Sequence, residues 1–383
     1  MSVIYLDNAA TTRTKPQSVV DAVAAALTSF GGPGRGAHDP AVDASMAVYR
    51  ARAAVAGVIG APSPARVSFA ANATAALNVA IAGLLPIGGR AVTTAASHNS
   101  VLRPLFRARD ERDCAVNVVP VNPDGSLDYG AYARCLDRGA DLVAVTHASN
   151  LTGDVYDVAR LAALAHEAGA RFVLDAAQTA GAHPLDMAAL GADVVCFTGH
   201  KSLYGPQGTG GLAVAEGVDV PPLLEGGSGV HSFDERHPRF MPEALEAGTA
   251  NAHGLAGLAA GAAYVAAQGV EAIAAQLAAL VDRFEAGAAA VPGVRVLGGH
   301  ADAGRCGIVA LNVGAADSGA VADALFQGFG VCVRPGAHCA PLTHRALGTE
   351  QQGAVRFSFC SFTTEAEVDA ALEALEAVAR DLC

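Results

Sequence analysis

The sequence has no block of five or six basic residues in its 383 positions, and its formal net charge is −12. Phosphate binding needs clustered Lys and Arg, so a nucleic-acid surface is excluded. No apolar run reaches the ~18 residues that span a bilayer. The first residues, Met1 to Asp7, lack the basic start and apolar core of a secretory signal. Eight cysteines occur, at 114, 135, 196, 306, 332, 339, 360 and 383, yet none form a C-x-x-C pair. That excludes a zinc ribbon or thioredoxin motif, and no metal is expected. The thiols read as reduced, in a cytoplasmic protein. Without a signal, the glycosylation sequons Asn72-Ala73-Thr74 and Asn150-Leu151-Thr152 read as accidental.

Charge is also sparse. Only 16% of residues are charged, whereas 52% are hydrophobic, which is enough for a sizeable core and too apolar for a disordered chain. The length suits one large domain plus a smaller one. Along the chain, helices are expected at 16–29, 40–60, from about 74, 100–112, 129–137 and 157–168. Between them lie short apolar strands: Val67–Phe69, Arg90–Thr94, Val116–Val121, Leu142–His147, Phe172–Asp175 and Val194–Phe197. Continuous Val/Ile/Leu runs separated by helices predict a mostly parallel sheet covered on both faces. Residues 31–36 read as a glycine-rich loop, and 254–290 as helical almost throughout. The tail reads as smaller α+β structure, with strands at 294–297, 307–313, 331–333 and 354–359 and helices at 318–329 and 364–381.

Two segments carry chemistry. Asp175 ends a strand, and Lys201 follows the next one after Thr198-Gly199-His200. Ligands of an open α/β sheet bind beyond the carboxyl ends of its strands, so both residues face one crevice. A lysine there can form a Schiff base with an aldehyde cofactor, and an aspartate can keep a pyridine nitrogen protonated. The plainer alternative is a surface lysine beside an unrelated aspartate. Asn72-Ala73-Thr74 opens a helix after a strand, where free N–H groups and the dipole suit a phosphate. His98 can stack on a ring, and Asn150 can reach a ring oxygen. Their alternatives are a helix cap, a loop histidine and a turn asparagine.

The motifs in order resemble the class V aminotransferase fold and, within it, the cysteine desulfurases and selenocysteine lyases. Tyr5-Leu6-Asp7-Asn8-Ala9-Ala10-Thr11-Thr12, Asp175-Ala176-Ala177-Gln178, Thr198 through Pro206 and Glu246 through Asn251 carry the resemblance over nearly the whole chain. It implies a type I fold of pyridoxal-phosphate enzymes: an α/β large domain at 15–255 with a mostly parallel seven-stranded sheet, and a smaller C-terminal α+β domain at 256–383 with 1–14. Lys201 would hold pyridoxal 5'-phosphate and move the proton at the substrate α-carbon. Asp175 would pair with the ring nitrogen, Gln178 and Asn150 with the phenolic oxygen, and His98 would stack over the ring. Ala73, Thr74, Thr198 and His200 would hold the phosphate. Thr249 would reach the phosphate of a neighbouring subunit, implying a homodimer.

Arg334-Pro335-Gly336-Ala337-His338-Cys339-Ala340 resembles the short Arg-x-Gly-x-His-Cys loop of the second desulfurase group. Cys339 would take sulfur as a persulfide and pass it to an acceptor protein, with Arg334 and His338 favouring its thiolate. Asn8, Ala10, Arg334 and Arg356 would bind the amino-acid substrate, cysteine or selenocysteine. A structural buried thiol is the plainer reading of Cys339; Cys332 and Cys360 are expected in the core. Ser97-His98-Asn99, Ala75, Ala73 and Ala337 depart from the family pattern. Another class V reaction, or a binding protein that kept the fold, stands as the alternative.

Overall fold

The structure is a computed structural model, and it describes residues 3–34, 36–299 and 303–383. Arg35, inside the expected loop at 31–36, lies outside the described residues. Seven strands form the central sheet, in the order Val67–Ala70, Gly210–Val214, Val194–Thr198, Arg171–Asp175, Leu142–Thr146, Arg90–Thr94, Ala115–Val119. Gly210–Val214 runs against both its neighbours, and the other pairings are parallel.

The strand sequences explain this arrangement. Leu142–Thr146 and Val194–Thr198 are buried at every position. Alternate side chains enter different cores: Val143 and Val145 join Phe172 and Leu174 on one face, while Leu142 and Ala144 join Val173, Leu77 and Ile81 on the other. Each such side chain contributes about 1.5–3 kcal/mol on burial. A sheet covered twice favours apolar residues at both parities, hence the continuous runs in sequence.

Gly210–Val214 was not expected as a strand, because two glycines dilute its apolar pattern. Those glycines are sterically required. A Cβ on Gly211 would collide with the Ser68 carbonyl oxygen of the neighbouring strand, so only glycine lets the two backbones pair there.

The C-terminal part builds a four-stranded antiparallel sheet in the order Arg334–Gly336, Ala354–Ser358, Ile308–Val313, Val294–Leu297. The N-terminal Ile4–Tyr5 pairs in parallel with Val331–Cys332. The last helix, Glu365–Leu382, starts at a reciprocal cap between Thr364 and Glu367, a device worth about 1 kcal/mol.

Residues 254–290 are helical almost throughout, as expected, but in two helices: Ala252–Gln268 and Val270–Ala290 meet at Gly269, with φ 83°, and bend by 79°. Two expectations are corrected here. The segment after Val333 is not all loop, since Arg334–Gly336 pairs with Ala354–Arg356, and Pro341–Leu347 is a helix with proline in its first turn. Cys332 is only partly buried, because its short strand lies in a two-stranded pairing rather than in the core; Cys360 is buried as expected.

Candidate active site

The floor of the site is made of strand ends. Asp175 closes its strand in register with Cys196. Thr198 closes the adjacent strand, and the chain turns through Gly199 and His200 to Lys201. Around this edge one cavity is lined by Ala73, Thr74, His98, Asn150, Asp175, Gln178, Thr198, His200 and Lys201. Nine of the ten residues expected to hold a cofactor therefore converge. Asn72, Ser100, Thr146 and Ala177 complete the wall.

Electrostatics differ along this floor. Asp175 is 4% exposed. Burial pushes its pKa up, while the Ala177 N–H, 3.0 Å from Oδ1, and the charge of Lys201 oppose that rise. Lys201 is pushed down to about 8, first by burial and then by the Arg356 guanidinium, with Asp175 pulling the other way. The peptide carbonyl before Lys201 is gripped from the N-terminal segment. The His200 oxygen accepts from the Thr11 hydroxyl, the Thr12 N–H and hydroxyl, and Lys15 Nζ, at 3.1–3.2 Å.

At the other end of the cavity the helix Ala73–Leu84 begins. Asn72 caps it by accepting from the Ala75 N–H at 3.0 Å. The Thr74 hydroxyl lies 2.8 Å from the Ser100 hydroxyl, which lies 2.9 Å from His98 Nδ1. The Ser100 N–H donates to the same nitrogen at 3.0 Å, so the His98 ring is neutral with its proton on Nε2. Burial, followed by the Lys201 charge, pushes His98 down to about 4 and keeps it neutral at physiological pH. Ser100 was not expected from sequence. Its signal is a hydroxyl two residues past a helix-capping His.

The thiol sits on a tight loop above the floor. His338 and Cys339 both have left-handed backbone, φ 50° and 57°, a conformation that costs a side-chain-bearing residue about 1–2 kcal/mol. Two bonds from the floor side hold it. The Asn99 N–H donates to the Cys339 carbonyl at 2.9 Å, and Asn150 Nδ2 donates to the His338 carbonyl at 2.6 Å. Asn150 thus ties the loop to the floor, a role its sequence position did not suggest. His338 also corrects an expectation. Its ring is buried and is pushed down to about 3, by burial first and by Arg356 second. It is neutral, so of Arg334 and His338 only Arg334 brings positive charge to Cys339.

Arg356 is 1% exposed. It donates to the Asn150 carbonyl at 2.8 Å and to Asp7 Oδ1 at 3.1 Å, and burial pushes it down to about 10. Asn8 does not reach the cavity: its amide donates to the Tyr5 and Ser358 carbonyls at 3.2 and 2.9 Å. Ala10, Arg334, Arg356 and Cys339 are likewise absent from the wall, and Thr249 is exposed beside a separate, largely apolar cavity with Phe69, Val79, Leu245 and Leu255.

The chain matches the Aminotransferase class-V family over residues 4–371. It belongs to that family. Among class V relatives, a probable cysteine desulfurase from Methanothermobacter thermautotrophicus is 35% identical, covering 98% of this chain and 94% of that one. A cysteine desulfurase from Cereibacter sphaeroides is also 35% identical, covering 100% and 97%. Of solved structures, the apo cysteine desulfurase of Thermococcus onnurineus NA1 superposes with a TM-score of 0.92 at 33% identity, covering 99% of this chain and 95% of that one.

The cavity suits the phosphorylated pyridine aldehyde that class V folds imply. The Thr198 hydroxyl and His200 Nδ1 are buried without a protein partner among the described residues. Two such groups beside a helix N-terminus form an anion site in want of an anion. Asp175 lines the same cavity as Lys201, so it would hold the ring nitrogen of a cofactor carried by that lysine.

Proposed function

We propose that this chain is a cysteine desulfurase that works with pyridoxal 5'-phosphate, converting L-cysteine to L-alanine and leaving the sulfur on Cys339. The observation that carries the reading is the loop of Cys339, bound through Asn99 and Asn150, with Cys339 lining an open mouth that shares Thr74, His98 and Ser100 with the Lys201 cavity. When bound, the cofactor supplies an aldehyde for Lys201 and a ring that accepts the electrons released at the substrate.

The residues of the chain do the rest. Thr74, Thr198, His200 and the Ala73 N–H would hold the phosphate, and Asp175 would hold the ring nitrogen. His98, a neutral ring, and Gln178 would contact the ring. Arg356 presents a buried guanidinium to the substrate carboxylate, with Arg334 nearby. Lys201 would carry the proton at the substrate Cα. Cys339 thiolate then attacks the substrate sulfur. The new S–S bond forms as the Cβ–S bond breaks, and Cβ takes a proton to become the methyl of alanine. Selenocysteine fits the same geometry.

The reading includes a homodimer, in which exposed Thr249 reaches the partner's phosphate. It also includes a cytoplasmic location and a sulfur-acceptor protein. Residues 15–255 form the cofactor-holding unit, and 256–383 with 1–14 the second one; the pairing of Ile4–Tyr5 with Val331–Cys332 supports that division. A single-turnover assay with L-cysteine tests the reaction. Wild type is expected to form alanine and a Cys339 persulfide in equal amounts, and Cys339→Ala neither. Equal alanine from both proteins would refute a sulfur-accepting Cys339.

A further inference from the structure

The helix Asn99–Arg112 starts at the thiol loop, since the Asn99 N–H bonds the Cys339 carbonyl. Asn99, Arg103 and Arg107 follow at four-residue intervals and so share one helix face. The two arginines stand one and two turns on, about 6 and 12 Å along the axis. Helical side chains lean toward the N-terminus, which brings both guanidinium groups back toward Cys339. The three residues line one open cavity of about 420 Å³ with Thr74, Asn78, His98 and Cys339.

No acid lines this mouth, although acids outnumber bases 37 to 25 in the chain. Both arginines are exposed, and neither has an ion pair among the described residues. On the same helix Arg109 is paired with Asp110, and Arg112 donates to the Ala82 and Leu85 carbonyls. Two cations without an ion pair, of which Arg107 donates to Asn78 Oδ1 at 3.4 Å, stand beside Cys339 in an otherwise acidic protein and form a local reversal of charge. The His98 side of the mouth is shared with the cofactor cavity.

We propose that Arg103 and Arg107 form an anionic subsite that selects the sulfur acceptor: an extended peptide segment of the acceptor protein whose cysteine has acidic residues about two positions away. An extended chain advances about 3.3 Å per residue and repeats its facing every second residue. A carboxylate two places from the acceptor cysteine therefore spans the first arginine's distance on the thiol's own side. The proposal rests on Cys339 carrying the persulfide. In the transfer, the acceptor thiolate attacks the outer sulfur of that persulfide. One S–S bond forms as the other breaks, Cys339 leaves as thiolate, and no external oxidant or reductant is consumed. The acceptor's proton goes to water.

The test uses holoenzyme and two capped pentapeptides with a central cysteine. One carries glutamate at both ends and the other glutamine. With Cys339 loaded from L-cysteine and excess substrate removed, wild type is expected to discharge persulfide about tenfold faster to the glutamate peptide, from two exposed ion pairs. The preference is expected to vanish in 0.5 M salt and to reverse in Arg103→Glu/Arg107→Glu. Equal rates in wild type, or a preference that survives the double variant, would overturn the subsite. A second arm measures binding of both peptides with serine in place of cysteine, which needs no persulfide. Preferential binding of the glutamate peptide by a protein that forms no Cys339 persulfide from L-cysteine would remove the desulfurase reading and leave the anionic subsite standing; equal binding would remove the subsite itself.

Discussion

The floor of the cavity and the loop above it hold their reactive groups by opposite means. Asp175 and Thr198 end strands buried on both faces, and their positions follow from sheet register. Cys339 hangs between a three-residue strand and a seven-residue helix, through two left-handed residues and two cross-chain bonds. The floor is rigid because its backbone is relaxed and packed. The loop is fixed although its backbone is strained, because the bonds from Asn99 and Asn150 pin its two carbonyls. A group that must stay still sits on the first kind of support. A group that must present sulfur to two different molecules sits on the second.

Replacing the central floor residue should have the largest effect. Lys201→Ala is expected to lower alanine formation at least about a thousandfold, read in steady-state assays. Retained activity would move the chemistry off the floor. The protonation of Lys201 gives a second test. Only the neutral amine attacks an aldehyde, so cofactor loading of the apo-protein should rise about tenfold per pH unit below about 8 and level off above it. A lysine with an ordinary pKa would keep accelerating to beyond pH 10. Growth of the visible absorbance band reports the rate.

Glycine separates the two regions at smaller scale. Gly199→Ala on the floor would drive a Cβ into the Thr209 side chain, at about 1–3 kcal/mol measured by urea unfolding. On the loop the sign is expected to flip. Cys339→Gly should be more stable than Cys339→Ala by about 0.5–1 kcal/mol, because glycine takes the left-handed backbone freely. If alanine were equal or better there, the loop would be unstrained and the contrast with the floor would fail.

The same contrast decides what the sequence revealed. The floor was legible because an apolar strand ending in a polar residue announces a sheet edge, as in Phe172–Asp175 and Val194–Lys201. The order of motifs was enough to name the family. The loop was legible in composition only. Left-handed backbone at His338 and Cys339 has no sequence signal when neither is glycine, and the neutral state of His338 depends on burial by distant residues. Gly210–Val214 was hidden by the glycines that let it pack. The tie from Asn150 to the loop joins residues 188 positions apart, beyond any local pattern, and Arg103 and Cys339, which line one mouth, are further apart still in sequence.

The grip on the His200 carbonyl reaches further than the site it serves. Residues 11–15 hold the peptide before Lys201, residues 8–9 bond to Ser358, and residues 4–5 pair with the strand that leads into Arg334 and Cys339. Residues 4–15 thus act as a tie rod between lysine and thiol. It sets their spacing while carrying neither, and a change in its length would detune both ends at once.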